Sequence, residues 1–294
     1  MSISLIYFLL SQFIWGMLPA FWKLLAGIHP VYLLAMKILF SFLTCLLWCV
    51  LSRPLRRELT AALRRPRLLL LLLGASLLIT ANSGLYIYTV NSGHIFESSF
   101  ASFIHPIVCL VLSALLFGEK LDSWRAAAAV TALVGLLLAF LLYGQIPWLA
   151  LALCLTFSFY SVLKKEVTLS GPVSVCLESL FMIPFAAAVI AGTGAIPGPA
   201  RMTAAESLLF PATGFITALP MAFFAAGLQG LPFQAAAILM YCSPVMQFLQ
   251  APLFGETLSP ILEINFCFVF AAVLLYLTGL LRHPRSAPAK EPRP

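Results

Sequence analysis

Apolar runs separated by short polar punctuation fill almost the whole chain. A helix needs about 20 apolar residues to cross a bilayer. Breaking the sequence at its charged, Gly/Pro and polar clusters predicts ten such helices. They cover residues 3–25, 30–51, 68–91, 94–117, 123–143, 146–166, 172–192, 205–228, 233–254 and 260–281. The joins at 91–94, 143–146 and 228–233 are so short that the helices they connect must be antiparallel neighbours. Residues 283–294 hold four prolines and four charges and read as a disordered basic tail.

The same pattern occurs twice. At a shift of 137, Thr80-Ala81 aligns with Thr217-Ala218, Phe96-Glu97 with Phe233-Gln234, and Leu116-Phe117-Gly118-Glu119-Lys120-Leu121 with Leu253-Phe254-Gly255-Glu256-Thr257-Leu258. A shift of 141 aligns Lys23 with Lys164 and Lys37 with Glu178. The chain therefore divides into residues 1–143 and 144–282, five spans each. An odd number of spans sends the second copy into the membrane from the opposite side, which makes the repeat inverted. Inverted repeats hold solute near the midplane, and matched proline-interrupted helices point to the place. Here these are His105-Pro106 and Ser243-Pro244, whose prolines would free the carbonyls of Ser102 and Met240.

Composition removes the soluble alternatives. Of the 294 residues 62% are hydrophobic and 9% charged, with mean hydropathy +1.03. A soluble domain carries roughly 25% charged residues. A soluble enzyme, a disordered chain and a nucleic-acid-binding domain are excluded. The net charge of +7 comes from basic residues in short connections, as expected of contacts with anionic lipid headgroups. With the N-terminus inside, 14 of the 17 Lys and Arg fall on the cytoplasmic side, Lys164 and Lys165 among the loop residues. Lys23 and Arg201 lie outside and Lys37 within a span, so both termini are predicted to be cytoplasmic. Residues 3–25 lack a basic lead and a small-residue cleavage site, so they read as a span and not a removable signal. The seven cysteines lie in apolar runs without CxxC spacing, suggesting packing and neither disulfides nor zinc.

Ten helices in two halves, each with Phe-Gly-Glu after its fourth span, resemble the EamA-type drug/metabolite transporter superfamily. Within it the chain is similar to bacterial RarD-type proteins, named for chloramphenicol sensitivity. The residues that carry this are Phe13-Ile14-Trp15-Gly16, Pro19, Phe21-Trp22-Lys23-Leu24, Asn82, Leu85-Tyr86-Ile87 and Val90-Asn91-Ser92-Gly93-His94. Glu97-Ser98-Ser99, Pro106, Tyr241, Pro244 and Gln247-Phe248-Leu249 continue it. The chain departs from the pattern at Met36-Lys37, Ser83, His105 and Met240, all expected cavity positions. The resemblance implies a ten-helix secondary transporter of small metabolites or drug-like solutes in the bacterial plasma membrane.

Ionisable groups inside spans cost roughly 2.5–3.5 kcal/mol and therefore face the bundle interior or water. Lys37 lies seven residues, about 10 Å, into the second span from outside. Glu178 lies a similar distance into the seventh from inside. They are too far apart along the normal for a direct salt bridge, and both are expected to line one central cavity. Lys37 would attract a solute carboxylate or phosphate or a neighbouring acid, and the alternative is snorkelling to headgroups. Glu178 would exchange a proton or partner the cytoplasmic loop. Asn82, Tyr86 and Thr89 share a helix face; they would either bind solute or bond between helices. Trp15 offers a stacking wall, Trp22-Lys23 an interface anchor, and Tyr241 adjoins the second proline. His105 and His94 are either pH-sensitive or structural, and Glu97 reads as a helix cap. Glu119 and Glu256 read as helix-end hydrogen-bonding groups.

No GxxxxGK[ST] or HExxH occurs, and Gly192-Thr193-Gly194 lacks a third glycine. No cofactor and no metal are expected, and the partners are a small solute, membrane lipid and, in a coupled mechanism, protons. Two rivals are a membrane-embedded lipid-processing enzyme and a structural subunit. The loops are too short and acid-poor to build the first, and the second leaves the repeat unexplained.

Overall fold

The structure is a computed structural model, and it describes residues 3–25, 28–91, 95–118, 123–144, 147–192, 204–250 and 260–282. These form twelve helices and, among the described residues, no strand. In chain order they are α1 (Ile3–Lys23), α2 (Pro30–Leu51), α3 (Arg53–Ala62), α4 (Pro66–Asn91), α5 (Ile95–Phe117) and α6 (Ser123–Tyr143). There follow α7 (Trp148–Glu166), α8 (Gly171–Gly192), α9 (Ala204–Gly230), α10 (Phe233–Leu239), α11 (Cys242–Gln250) and α12 (Pro260–Arg282).

Among the described residues, six stretches are long and apolar enough to cross a membrane: Val31–Leu51, Pro66–Tyr86, Phe100–Phe117, Trp148–Glu166, Gly171–Gly192 and Leu209–Gly230. Ile3–Leu18, Ala126–Leu142, Phe233–Met246 and Glu263–Tyr276 are shorter apolar segments. Large apolar side chains such as Leu51, Leu70, Leu115, Leu141 and Trp148 stand exposed, as lipid-facing positions do. The fold is that of an all-helical, multi-pass membrane protein.

Three expectations need correction. Residues 53–62 form the amphipathic helix α3 in place of a plain loop. Ser52 and Pro54 open it, and Leu55, Leu59 and Ala62 lay an apolar stripe against a core patch containing Cys45, Leu72 and Val173. Residues 233–254 do not make one helix, because the chain turns at Met240-Tyr241 between α10 and α11. Pro106, by contrast, does not break its helix, and α5 runs through it. Pro184, Pro211 and Pro220 are likewise carried inside α8 and α9, since one missing N–H is tolerated when the surrounding bundle holds the turn. Pro244 sits in the first turn of α11, where its N–H would have no helical partner anyway.

Helices pair mainly across the two halves of the chain: α6 with α12, α2 with α8 and α9, α1 with α9, α10 and α11, and α7 with α4 and α5. Small residues permit the close crossings. A Cβ on Gly214 of α9 would fall 2.3 Å from the Phe40 carbonyl carbon of α2, and one on Gly171 of α8 2.2 Å from the Ala222 carbonyl oxygen.

At one end of the bundle, side chains tie three connections together. The Glu58 carboxylate of α3 accepts from the Ser170 backbone N–H (2.7 Å) and hydroxyl (2.5 Å). The Gln229 amide of α9 donates to the carbonyls of Val167 (2.8 Å) and Leu169 (2.5 Å). The Lys165 ammonium donates to the carbonyls of Leu228 (2.7 Å) and Leu231. Lys165 is thus no loop residue: it closes the last turn of α7 and satisfies carbonyls that the end of α9 leaves open.

Candidate functional site

The break between α10 and α11 lies at the centre of the largest apolar core. Phe233 through Tyr241 are all buried there, and the Tyr241 hydroxyl donates to the Phe103 carbonyl of α5 at 3.0 Å. Two residues on, His105 is buried with its ring edge-on to Phe157 of α7, centroids 4.7 Å apart, and its Nε2 3.3 Å from the Cys109 Sγ. Trp15 of α1 packs on Phe157 (6.2 Å) and Phe224 of α9 (5.2 Å). Trp15, His105 and Tyr241 therefore meet around one aromatic cluster drawn from both halves of the chain. Four helices build the cluster: α1 brings Trp15, α5 His105, α7 Phe157 and Tyr160, and α9 Phe224.

Asn82 and Tyr86 stand elsewhere. The Asn82 amide donates to the Leu153 carbonyl (2.8 Å) and the Thr156 hydroxyl (3.0 Å), binding α4 to α7. Tyr86, one turn on, is 54% exposed, and Thr89 is buried with its hydroxyl on the Leu85 carbonyl (2.7 Å). The three residues therefore do different things: Asn82 joins two helices, Tyr86 stands exposed and Thr89 bonds within its own helix.

Glu178 is enclosed. Its carboxylate pairs with Lys164 of α7 and accepts from Ser174 (3.0 Å) and Tyr160 (3.2 Å). Lys164 donates also to the Ser174 hydroxyl (2.7 Å) and lies 5.9 Å from the Tyr160 ring centroid. The sequence reading placed Lys164 in a loop. It is fully buried in the last turn of α7, where a carboxylate on α8 takes its charge. All four side chains are buried, so each must be satisfied by the others.

Lys37 is half-buried on α2, whose neighbouring residues Leu34, Ala35 and Ile38 pack on Met182 and Ala186 of α8. It makes no ion pair and no side-chain hydrogen bond among the described residues. An apolar groove of about 350 Å³ lies between α1 and α11, lined by Ile6, Leu9, Leu10, Phe13, Cys242 and Met246, and contains none of the candidate residues. All seven cysteines are free, and no group of three or more His, Cys, Asp or Glu fit to hold a metal occurs among the described residues. His94, Glu119, Arg201, Thr193-Gly194, Glu256, the side chains of Trp22, Lys23 and Glu97, and the tail 283–294 lie outside the described residues.

Apolar helices of membrane-spanning length, packed around a shared aromatic centre, define an all-helical, multi-pass membrane protein. Residues 2–141 match the EamA-like transporter family. The chain is 30% identical to the uncharacterized transporter YojE of Bacillus subtilis, over 97% of this chain and 96% of that one. To protein RarD of Streptomyces exfoliatus it is 33% identical, over 94% and 88% of the two chains. To the chloramphenicol-sensitive protein RarD of Pseudomonas aeruginosa it is 28% identical, over 88% of each. The chain belongs to the EamA-like transporter family. A solved crystal structure 17% identical in sequence superposes with a TM-score of 0.71, covering 94% of this chain and 98% of that one, and so shares the fold.

Proposed function

We propose that this chain is a secondary transporter that moves small metabolites or drug-like solutes without nucleotide hydrolysis. In this reading ten helices cross the bacterial plasma membrane as two inverted five-helix halves, residues 1–143 and 144–282, with both termini in the cytoplasm. Solute is held by alternating access where the halves meet, next to Trp15, His105, Pro106, Tyr241 and Pro244. Lys37 reaches the cavity from the outer side. Glu178, together with Lys164, serves as the charged pair that a proton or a conformational change would separate. Asn82 and Tyr86 border the site through α4.

One observation carries the reading. Exchange α1, α2, α4, α5 and α6 for α7, α8, α9, α10–α11 and α12, and the most extensive helix pairings map onto one another. The pairs α6–α12 and α2–α8 are self-related. The pair α1–α9 becomes α7–α4, α1 with α10–α11 becomes α7–α5, and α2–α9 becomes α8–α4. Such exchange symmetry is what two related halves produce, and transporters built this way bind at the interface.

The test is reconstitution in liposomes. Vesicles preloaded with one solute should take up the labelled solute by counterflow without nucleotide. Chemical conversion of a lipid with no solute movement would overturn the reading, as would terminal tags found on opposite sides of the bilayer.

A further inference from the structure

We infer that α2 and α9 form an anion-binding subsite, made by the ammonium of Lys37 and the hydroxyls of Ser41 and Thr217, which takes the carboxylate or phosphate of the transported solute. This names a substrate class for the transporter proposed above and rests on that reading.

The argument starts from hydroxyls that do not do what their neighbours do. In an apolar helix a Ser or Thr satisfies itself on the carbonyl three or four residues back. Ser11, Ser76, Ser83, Ser113, Ser161 and Thr213 all do so, at 2.6–2.9 Å. Ser41 and Thr217 do not. Their side chains are 4% and 7% exposed, and neither hydroxyl oxygen has a hydrogen-bond partner in the protein. A buried hydroxyl left unmade costs on the order of 1–3 kcal/mol, so two of them at one helix crossing call for an explanation.

Placement supplies it. Ser41 stands one turn after Lys37 on α2. Between them, the Phe40 backbone touches Gly214 of α9, and Thr217 follows Gly214 by three residues on the same face. Lys37 makes neither ion pair nor side-chain hydrogen bond among the described residues, so no neighbouring acid claims its charge. Lys164, fully buried in α7, is by contrast matched by Glu178. A cation and two hydroxyls are all able to donate, and Lys37 cannot accept. The ligand that fits three donors and one positive charge is an oxyanion. A lipid headgroup phosphate offers the same chemistry, so the experiment must separate the two sources.

The purified protein in neutral detergent is titrated with acetate and with inorganic phosphate while thermal unfolding is followed. The same variants are then assayed for counterflow of labelled monocarboxylates, sugar phosphates, and neutral and cationic solutes. Vesicles are made with and without anionic lipid. Wild type should gain stability with one of the two anions and move anionic solutes. Lys37→Met should lose the stabilisation and raise the half-saturating concentration about tenfold or more, and Lys37→Arg should retain both.

The double variant Ser41→Ala/Thr217→Val separates binding from structure. Removing unmatched hydroxyls should leave the unfolding temperature equal or higher while weakening the anion effect; a lower unfolding temperature with unchanged anion response overturns the proposal. So does a wild type that moves only neutral or cationic solutes at a rate Lys37→Met does not alter, and in that case transport itself survives. Stabilisation by anionic lipid alone, with no response to soluble anions, assigns Lys37 to headgroups and also overturns it. If no solute of any class moves, the transport reading fails, and the anion response in detergent still decides whether the subsite exists.

Discussion

Lys164 and Glu178 form an ion pair within the bundle, across α7 and α8, with the lysine side chain fully buried and the glutamate 4% exposed. Desolvating two charges costs several kcal/mol each, and their attraction offsets this only when every remaining donor and acceptor is engaged. Ser174 meets both partners, and Tyr160 donates to the second carboxylate oxygen. The pair is therefore a closed unit whose members cannot be removed singly without stranding a charge.

Glu178→Gln or Lys164→Met alone should lower stability by about 3–5 kcal/mol, the usual cost of an uncompensated buried charge. The double variant Lys164→Met/Glu178→Leu, which leaves no charge behind, should recover most of that loss. Thermal unfolding in detergent checks it. Single variants as stable as the wild type would mean the two charges are not coupled in the folded protein.

The close crossings make a second prediction. Gly171→Ala and Gly214→Ala each drive a methyl into a neighbouring backbone, at 2.2 Å from Ala222 and 2.3 Å from Phe40. Backbone cannot rotate away as a side chain can, so the helices must part and packing is lost. Both variants should unfold at lower temperature. Gly84→Ala is the control, because nothing lies within 4 Å of the added atom. It should be neutral or slightly stabilising, by up to about 1 kcal/mol of helix propensity.

Tyr241 holds the turn between α10 and α11 against α5 through its bond to the Phe103 carbonyl. Tyr241→Phe keeps the ring and removes the donor, so stability should fall by about 1 kcal/mol. Counterflow should fall further than stability does if the interrupted helix must keep its place for solute to bind. Equal rates in Tyr241→Phe and wild type would confine the hydroxyl to a packing role.

The sequence showed some of this and hid the rest for physical reasons. Helices were readable because lipid demands long apolar runs, and Lys37 and Glu178 stood out as charges inside them. Lys164 was missed because it precedes Lys165 and Glu166 at the end of a run, and one-dimensional spacing cannot tell a buried final turn from a loop. Helix α3 was missed because its charge conceals a stripe of only Leu55, Leu59 and Ala62. The Asn82 bond to Leu153 and Thr156 joins α4 to α7, a contact that local periodicity does not contain. Ser41 and Thr217 look like any small hydroxyl in an apolar helix, and only the missing partner sets them apart. Pro106 and Pro244 are equal in sequence, yet one lies within a continuous helix and the other opens a new one.

The three ties at one end of the bundle make the last prediction. Glu58 holds Ser170, Gln229 holds Val167 and Leu169, and Lys165 holds Leu228 and Leu231, so the 167–170 and 229–232 segments are bound to each other and to α3. An end that opens during transport must break them together. Hydrogen bonds to a charged group contribute about 1.5–3 kcal/mol each. Glu58→Ala should therefore speed amide exchange in 167–170 roughly 10- to 100-fold, since each 1.4 kcal/mol is tenfold. The decisive region is 229–232, which Glu58 does not touch. Faster exchange there means that the ties act as one latch, whose release through Glu58 loosens the bonds made by Gln229 and Lys165. Exchange that rises only at Ser170 and its neighbours would show three independent helix caps, and α3 would then have no part in opening this end.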